Sequence, residues 1–104
     1  MAYSIIRVEL HQNEDRVPHD ISAQCYKALH ELMASAGYNR SYSTTTKKTF
    51  ELPPAEYIKY GDESADQMRD TVAAIARRIV GSDRLFTIIV TRVADFASHN
   101  LKQL

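Results

Sequence analysis

The chain has 104 residues, 44% of them hydrophobic and 25% charged, a composition typical of one globular domain and not of disordered or collagen-like chains. Thirteen basic and thirteen acidic side chains give a formal net charge of zero, which excludes a strongly basic nucleic-acid protein but not a local basic patch. The single cysteine excludes an intrachain disulfide framework, and the lack of a long apolar run or basic leader predicts a cytoplasmic protein without membrane contact.

The N-terminal third of the chain predicts a half-buried strand, a loop and an amphipathic helix. From Tyr3 to His11 the side chains alternate between two faces. One face carries Ser4, Ile6, Val8 and Leu10, and the other carries Ile5, Arg7, Glu9 and His11. Residues 12–20 are polar and without a period, which is typical of a loop. Apolar residues then recur at helical spacing from Ile21 to Ala36, before Gly37 ends the helix.

The remaining elements are a hairpin, a second helix and a final strand. Residues 38–45 and 49–52 favour a hairpin, which Pro53 and Pro54 end, and residues 55–61 follow as a loop or short edge segment. The sequence from Ser64 to Gln67 is a capping box ahead of an amphipathic helix that ends before Gly81. Residues 85–93 are apolar on both faces and predict a more fully covered strand, with 94–104 as a loosely ordered tail.

The order of elements, βαβ followed by βαβ, predicts the fold class. It is the order of the ferredoxin-like split βαβ sandwich, an α+β fold in which two helices cover one face of a four-stranded antiparallel sheet. We expect residues 1–104 to form this single domain. Ile6, Val8 and Leu10 would face the helices, which leaves Ile5 on the open face together with either the odd-numbered or the even-numbered side chains of the last strand. An apolar open face needs cover, so the sequence predicts a homodimer.

Several short motifs occur in an order that resembles one protein family. They are Arg7-Val8-Glu9-Leu10-His11, Leu29-His30-Glu31, Gly37-Tyr38-Asn39-Arg40, Leu52-Pro53, Ala55-Glu56-Tyr57 and Ile89-Val90-Thr91. Their order and spacing resemble the GhoS-like family of small proteobacterial proteins, first grouped as a domain of unknown function. The resemblance implies a Cas2-like ferredoxin fold and an antitoxin that acts as a sequence-selective endoribonuclease. It does not extend to residues 12–19 or to the tail from Ala94.

Glu9 and His11 are the candidate catalytic residues, because they lie two positions apart on one strand and so project from the same face. An imidazole titrates near neutral pH, and His11 would move the proton when a 2′-hydroxyl of RNA attacks. By the resemblance to Cas2-like proteins, Glu9 would hold a divalent cation such as Mg2+. The alternative is structural, with Glu9 paired to an arginine at a solvated surface and His11 merely exposed.

Six residues are candidate contacts to single-stranded RNA, namely Arg7, Arg40, Tyr42, Lys47, Lys48 and Arg92. Cations bind phosphates and aromatic rings stack on bases, so the predicted hairpin suits such a strand. Tyrosine and lysine on a hairpin are equally typical of strand propensity and edge protection. RNA binding along the sheet requires Arg7, Arg40 and Arg92 to form one positive stripe near Glu9 or His11.

The other chemistry-bearing residues predict no site. Cys25 lies on the apolar stripe of the first helix, where a thiol acts as a small hydrophobe, and His30 with Glu31 lies beside that stripe. Metal-ligand spacing, a phosphate loop and a nucleophile elbow are absent from the sequence, which sets aside zinc, ATP and NAD. We therefore expect a GhoS-like RNA-binding protein, with endoribonuclease and antitoxin activity implied by the resemblance. The alternative is a non-catalytic dimeric module that binds a protein partner through the open sheet face.

Overall fold

The computed structural model describes residues 3–44, 46–53, 55–93 and 101–104, and it has an α+β architecture. Two helices are formed, α1 (Gln24–Ser35) and α2 (Ala65–Val80), near the predicted bounds. The strands are β1 (Tyr3–Leu10), β2 (Ser41–Ser43), β3 (Thr49–Glu51), β4 (Glu56–Tyr60) and β5 (Phe86–Val93). In the described part of the chain neither helix is both long and apolar enough to cross a membrane.

The described strands form two antiparallel sheets. One has the order β4-β1-β5, and the other is the predicted hairpin of β2 and β3. The predicted single four-stranded sheet is not formed by the described residues, because β2 does not pair with β4. Only Asn39, which precedes β2, forms an isolated bridge with Ile58 of β4. In the larger sheet Arg7 lies opposite Glu56 on one side and Ile89 on the other, which fixes the register of all three strands.

The core lies between the three-stranded sheet and the two helices. Ile6, Val8 and Leu10 are fully buried there, as the alternation in β1 predicts, and they share one apolar cluster with both helices. The helices contribute Tyr26, Leu29, Met33, Met68, Val72, Ile75 and Ala76. Burying each large apolar side chain stabilises the fold by roughly 1.5–3 kcal/mol, so this cluster holds both helices on the same face.

The position of β5 corrects the prediction that this strand is covered more completely than β1. β1 is central and has four fully buried side chains, whereas β5 is an edge strand whose side chains are all half-buried or exposed. Phe86, Ile88 and Val90 pack against the core cluster. Thr87, Ile89 and Thr91 therefore face the open side, which decides between the two orientations left open by the sequence.

The structure also shows what the segment after the hairpin and the end of the C-terminal tail form. Residues 56–60 form β4, an edge strand of the three-stranded sheet and not a loop. In the predicted C-terminal tail, residues 94–100 lie outside the described residues. Residues 101–104 lie along β3, where the Glu51 amide donates to the Lys102 carbonyl at 2.9 Å and the Leu104 amide donates to the Thr49 carbonyl at 2.9 Å. The outer edge of β3 is therefore covered by the chain itself.

Candidate functional site: a pocket beside the Glu9–His11 pair

A shallow pocket lies on the open face of the three-stranded sheet, between β1 and β5. Arg7, Glu9, Thr87 and Ile89 line it, and its volume is about 180 Å³. The pocket follows from the register, since Glu9 lies opposite Thr87 and Arg7 lies opposite Ile89. The Glu9 side chain is 46% exposed, and Ile89 is 59% exposed. A cation, a carboxylate and an apolar surface are thus available to one ligand.

His11 lies behind this pocket and is almost completely buried, with 2% of its side chain exposed. Its Nε2 atom lies 2.9 Å from Glu9 Oε1 and 3.3 Å from Thr87 Oγ1. The loop that follows β1 turns back over it, because the His19 amide donates to the Leu10 carbonyl and His11 forms a bridge with Pro18. The sequence places His11 on the open face, but this cover makes the imidazole inaccessible to a substrate.

The burial of His11 determines how the pair can act. Its Nδ1 atom is buried and has no hydrogen-bond partner. A proton on Nε2, donated to Glu9 Oε1, leaves Nδ1 as an unpaired acceptor, and this is less costly than an unpaired buried donor. The imidazole is therefore suited to orienting the Glu9 carboxylate, while Glu9 is the group that a ligand in the pocket contacts. His11 is a positioning residue in this geometry.

Arg40 is engaged with the backbone and is only 22% exposed. Its Nη1 atom donates to the carbonyl oxygens of Leu52, Pro53 and Glu56 at 3.2, 2.6 and 2.9 Å. Its Nη2 atom lies 3.6 Å from Glu51 Oε1. These contacts join the end of β3 to the start of β4, so the guanidinium has a structural role in this part of the fold.

Arg92 lies on the other face of the sheet from Arg7. It is opposite Ser4, whose side chain is fully buried toward the helices, whereas Arg7 is opposite Ile89 on the open face. The Arg92 guanidinium donates to the carbonyl oxygens of Gly61 and Glu63, which follow β4. Arg7, Arg40 and Arg92 therefore do not form the single positive stripe on which sheet-wide RNA binding was expected to depend.

The hairpin residues predicted to contact RNA lie in the two-stranded sheet, separate from the pocket. Lys47 and Lys48 are exposed at its turn, and Lys47 adopts a positive φ of 64°. The Tyr42 ring stacks on Phe50, with a centroid distance of 5.8 Å. The exposed cations and rings are compatible with an accessory contact, but they do not surround Glu9.

A buried polar cluster that the sequence did not predict lies on the helix side of the sheet. His30 Nδ1 is hydrogen-bonded to Tyr57 Oη, and the His30 ring lies 6.3 Å from that of Tyr26. Burial, reinforced by the charge of Arg40, lowers the pKa of His30 from its usual value of 6.5. Burial also raises the pKa of Tyr57. The signal available in the sequence was the i, i+4 spacing of Tyr26 and His30 on α1.

The groups around Glu9 provide few ligands for the predicted divalent cation. Among the described residues no three His, Cys, Asp or Glu side chains lie close enough together to hold a metal ion. Glu9 offers one carboxylate, and His11 occupies one of its oxygens. Mg2+ is often held by one or two carboxylates plus substrate phosphates. A cation at Glu9 would therefore depend on the substrate for the rest of its ligands.

Of the predicted site residues, the fold brings Arg7, Glu9 and His11 together at one place. It places Arg40 and Arg92 against backbone carbonyls, and the hairpin residues in another sheet. No family model, curated protein or solved structure matches the chain.

Proposed function

We propose that this chain is a GhoS-like RNA-binding protein, with an endoribonuclease centre in the pocket of Arg7 and Glu9, and that it acts as a cytoplasmic antitoxin. The observation that supports this function most directly is the Glu9–His11 hydrogen bond of 2.9 Å beside Arg7 in an open pocket. A carboxylate oriented by a buried imidazole, next to a cation, is suited to proton transfer at a phosphodiester.

The proposed fold is the ferredoxin-like split βαβ sandwich. Its support is the central position of β1 between β4 and β5, the two helices on one face, and the Asn39–Ile58 bridge, which continues the order of strands toward β2. In this description the sequence around Asn39 is a shortened fourth strand. The hairpin of β2 and β3 then extends from the edge of the sheet.

In the proposed reaction the 2′-hydroxyl of a ribose in the pocket attacks the adjacent phosphorus atom. Glu9 accepts the hydroxyl proton, and Arg7 donates hydrogen bonds to the non-bridging oxygens as their negative charge increases. The new 2′-O–P bond forms as the P–O5′ bond breaks, and water supplies the proton to the departing 5′ oxygen. The products are a 2′,3′-cyclic phosphate and a 5′-hydroxyl. Ile89 provides an apolar surface for the sugar or base.

A cleavage assay with a labelled RNA pool tests the proposal. Glu9→Gln should lower the cleavage rate by on the order of 10² or more with little change in binding, since the amide keeps the shape but cannot accept the proton. Glu31→Gln, at an exposed position on α1, is the matched control and should cleave as the wild type does. A substrate with deoxyribose at the scissile position should bind and stay intact. Parallel reactions with a chelator report whether a divalent cation takes part.

Two results would contradict the proposal. One is full cleavage by the Glu9→Gln variant. The other is RNA binding and cleavage that do not exceed those of an inert protein of similar size and charge. His11 variants separate positioning from catalysis, because His11→Gln can still donate to Glu9. It should retain more activity than His11→Ala, and both should affect kcat more than KM.

The second candidate function is a non-catalytic module that binds a protein partner through the open sheet face. It is supported by the 59% exposure of Ile89 and by the engagement of Arg40 and Arg92 with carbonyls, which leaves the open face poor in cations. A negative result in both RNA assays favours this function.

A further inference from the structure

The outer edge of β5 carries backbone N–H and C=O groups that point away from β1. The His11 amide donates to the Leu85 carbonyl at 2.8 Å, which marks a hydrogen-bonded position at the end of the antiparallel ladder, although the Leu85 amide itself donates to Ser82. Such positions alternate along the ladder, and the odd-numbered residues of β5 therefore direct their backbone groups toward β1. The N–H and C=O groups of Phe86, Ile88, Val90 and Arg92 point away from β1. Within the described ranges β5 has no other strand neighbour.

This edge lacks the usual features that prevent strand pairing. β5 has eight residues, and its register with β1 continues from Phe86 to Val93 without a bulge. It contains no proline and no lysine, and Arg92, its one charged side chain, is directed toward carbonyls of its own chain. Two other outer strands have partners along their edges, because β4 forms a bridge with Asn39 and β3 is hydrogen-bonded to residues 101–104. A long, regular and apolar edge is a template for another strand.

We propose that a second copy of this chain pairs with β5 in antiparallel orientation, about a two-fold axis at Ile89. Because the free backbone groups belong to even-numbered residues, even-numbered residues must pair with each other across the axis. Placing the axis at Ile89 pairs Ile88 with Val90 of the partner subunit, and Phe86 with Arg92 of the partner subunit. This register uses nearly the full length of the strand and joins two three-stranded sheets into one of six strands.

The side chains of this register are complementary on both faces. On the open face Ile89 meets the partner's Ile89 as a non-hydrogen-bonded pair, in which side chains approach most closely, and Thr87 meets the partner's Thr91. On the helix face Ile88 meets the partner's Val90. The pairing covers one side of Ile89, the most exposed apolar side chain of the described part of the sheet, and it places no like charges opposite each other.

The partner subunit also adds to the pocket. Thr87 and Ile89 form the β5 wall of the pocket, and the pairing places Thr91 and Ile89 of the partner subunit directly beside them. In the dimer, the β5 side of the pocket is therefore closed by the partner subunit. With strands about 4.8 Å apart, the two copies of Arg7 would lie about 14 Å apart on one continuous face. This consequence rests on the proposed function, whereas the strand pairing does not.

Cysteine cross-linking tests the register. In a Cys25→Ser background, Ile89→Cys places two thiols opposite each other at a Cα separation of about 4.5 Å, which a disulfide can span. Mild oxidation should convert most of the protein into a covalent dimer. Ile5→Cys in the same background is the matched control, because its position on the central strand keeps its two copies far apart. Cross-linking through Ile5→Cys instead of Ile89→Cys would indicate face-to-face packing and overturn the proposal.

Hydrogen exchange on the wild-type chain tests the pairing without any substitution. The amides of Phe86, Ile88, Val90 and Arg92 should become protected as protein concentration rises, while those of Thr87, Ile89 and Thr91, already bonded to β1, should change little. Sedimentation should show a dimer over the same concentration range. A chain that stays monomeric at several hundred micromolar, with no concentration-dependent protection, overturns the proposal whatever the outcome of the RNA assays.

Discussion

Arg40 links carbonyl oxygens of the proline-containing segment that joins β3 to β4. Proline has no N–H group to offer a ladder, and the chain around Pro53 leaves several carbonyl oxygens near one another. Arg40 donates to three of them and lies over the Tyr57 ring, 5.9 Å from its centroid. All three contacts come from Nη1 while Nη2 approaches Glu51, so the planar guanidinium spans two sites, which the single nitrogen of a lysine ammonium cannot do.

We therefore expect Arg40→Lys to lower the free energy of unfolding by about 2 kcal/mol, the usual cost of losing hydrogen bonds from a charged, largely buried donor. Urea denaturation measures the change. Arg69→Lys is the control, since Arg69 is 54% exposed and surface substitutions cost within about 0.5 kcal/mol. Equal stability of the two variants, or a loss of RNA affinity in a fully folded Arg40→Lys chain, would contradict the structural role.

His30 makes stability depend on pH. Its pKa in the folded chain is lowered from 6.5, chiefly by burial and then by Arg40, while Glu51 opposes this shift. The unfolded chain therefore binds more protons than the folded chain once the pH falls below about 6.5, and the free energy of unfolding decreases. Above that pH both states are neutral at His30 and the effect vanishes.

Comparison of the wild type with His30→Gln isolates this contribution, because the other histidines are common to both. Between pH 7 and pH 5 the wild type should lose more stability than the variant in urea titrations. Parallel pH profiles would show that the pKa of His30 is the same in the folded and unfolded chains.

The residue roles were the least predictable from sequence. Alternation in β1 places Glu9 and His11 on one face, and the structure has them there. The alternating pattern of β1 does not show that the following loop covers His11. That cover depends on the pairing of Pro18 and His19 with the end of β1, and residues 12–20 carry no periodic pattern that predicts it. The role of Arg40 likewise depends on carbonyls that are 12 to 16 residues away in the chain.

The helix ends show two contrasting degrees of capping. α2 has a complete capping box, in which the Ser64 hydroxyl accepts from the Gln67 amide and the Gln67 side chain accepts from the Ser64 amide. It ends at Gly81, whose φ of 82° suits glycine. The N-cap of α1 is Ala23, which makes no side-chain capping bond and has an extended backbone like that of Ser64.

Substitutions at these two positions should have opposite effects. Ser64→Ala should destabilise the chain by about 1 kcal/mol, and Ala23→Ser should stabilise it by a similar amount, since each changes one cap. Thermal or urea unfolding of both variants measures the two effects. A stabilising Ser64→Ala, or an Ala23→Ser that lowers stability, would show that the helix ends are satisfied in another way.

Elements with a strong local pattern were predictable and elements defined by long-range pairing were not. α2 carries its own start and stop signals, and β1 carries an alternating pattern. β4 is short and follows two prolines, so nothing within residues 55–61 distinguishes a strand from a loop. Its identity depends on pairing with β1, whose register places Tyr57 in the core opposite Ile6.

At the scale of the whole molecule, the distribution of cations on the open face would set the strength of the proposed RNA binding. In the described strands of the larger sheet, alternation places Arg7 on the open face together with the acidic side chains Glu9 and Glu56, and Arg92 on the opposite face. Because the net charge of the chain is zero, no long-range electrostatic attraction for RNA adds to the contribution of Arg7. RNA affinity should therefore rest on few phosphate contacts.

The salt dependence of RNA binding measures the number of phosphate contacts. Each phosphate neutralised on single-stranded RNA contributes a slope of about −0.7 in a plot of log affinity against log salt, so two copies of Arg7 in a paired dimer predict about −1.4. Arg7→Gln should flatten the plot, whereas Arg69→Gln, on the exposed surface of α2, should leave it unchanged. A slope steeper than about −3 that survives Arg7→Gln would contradict the pocket as the binding site, because it requires several other cations, such as Lys47 and Lys48 at the hairpin turn.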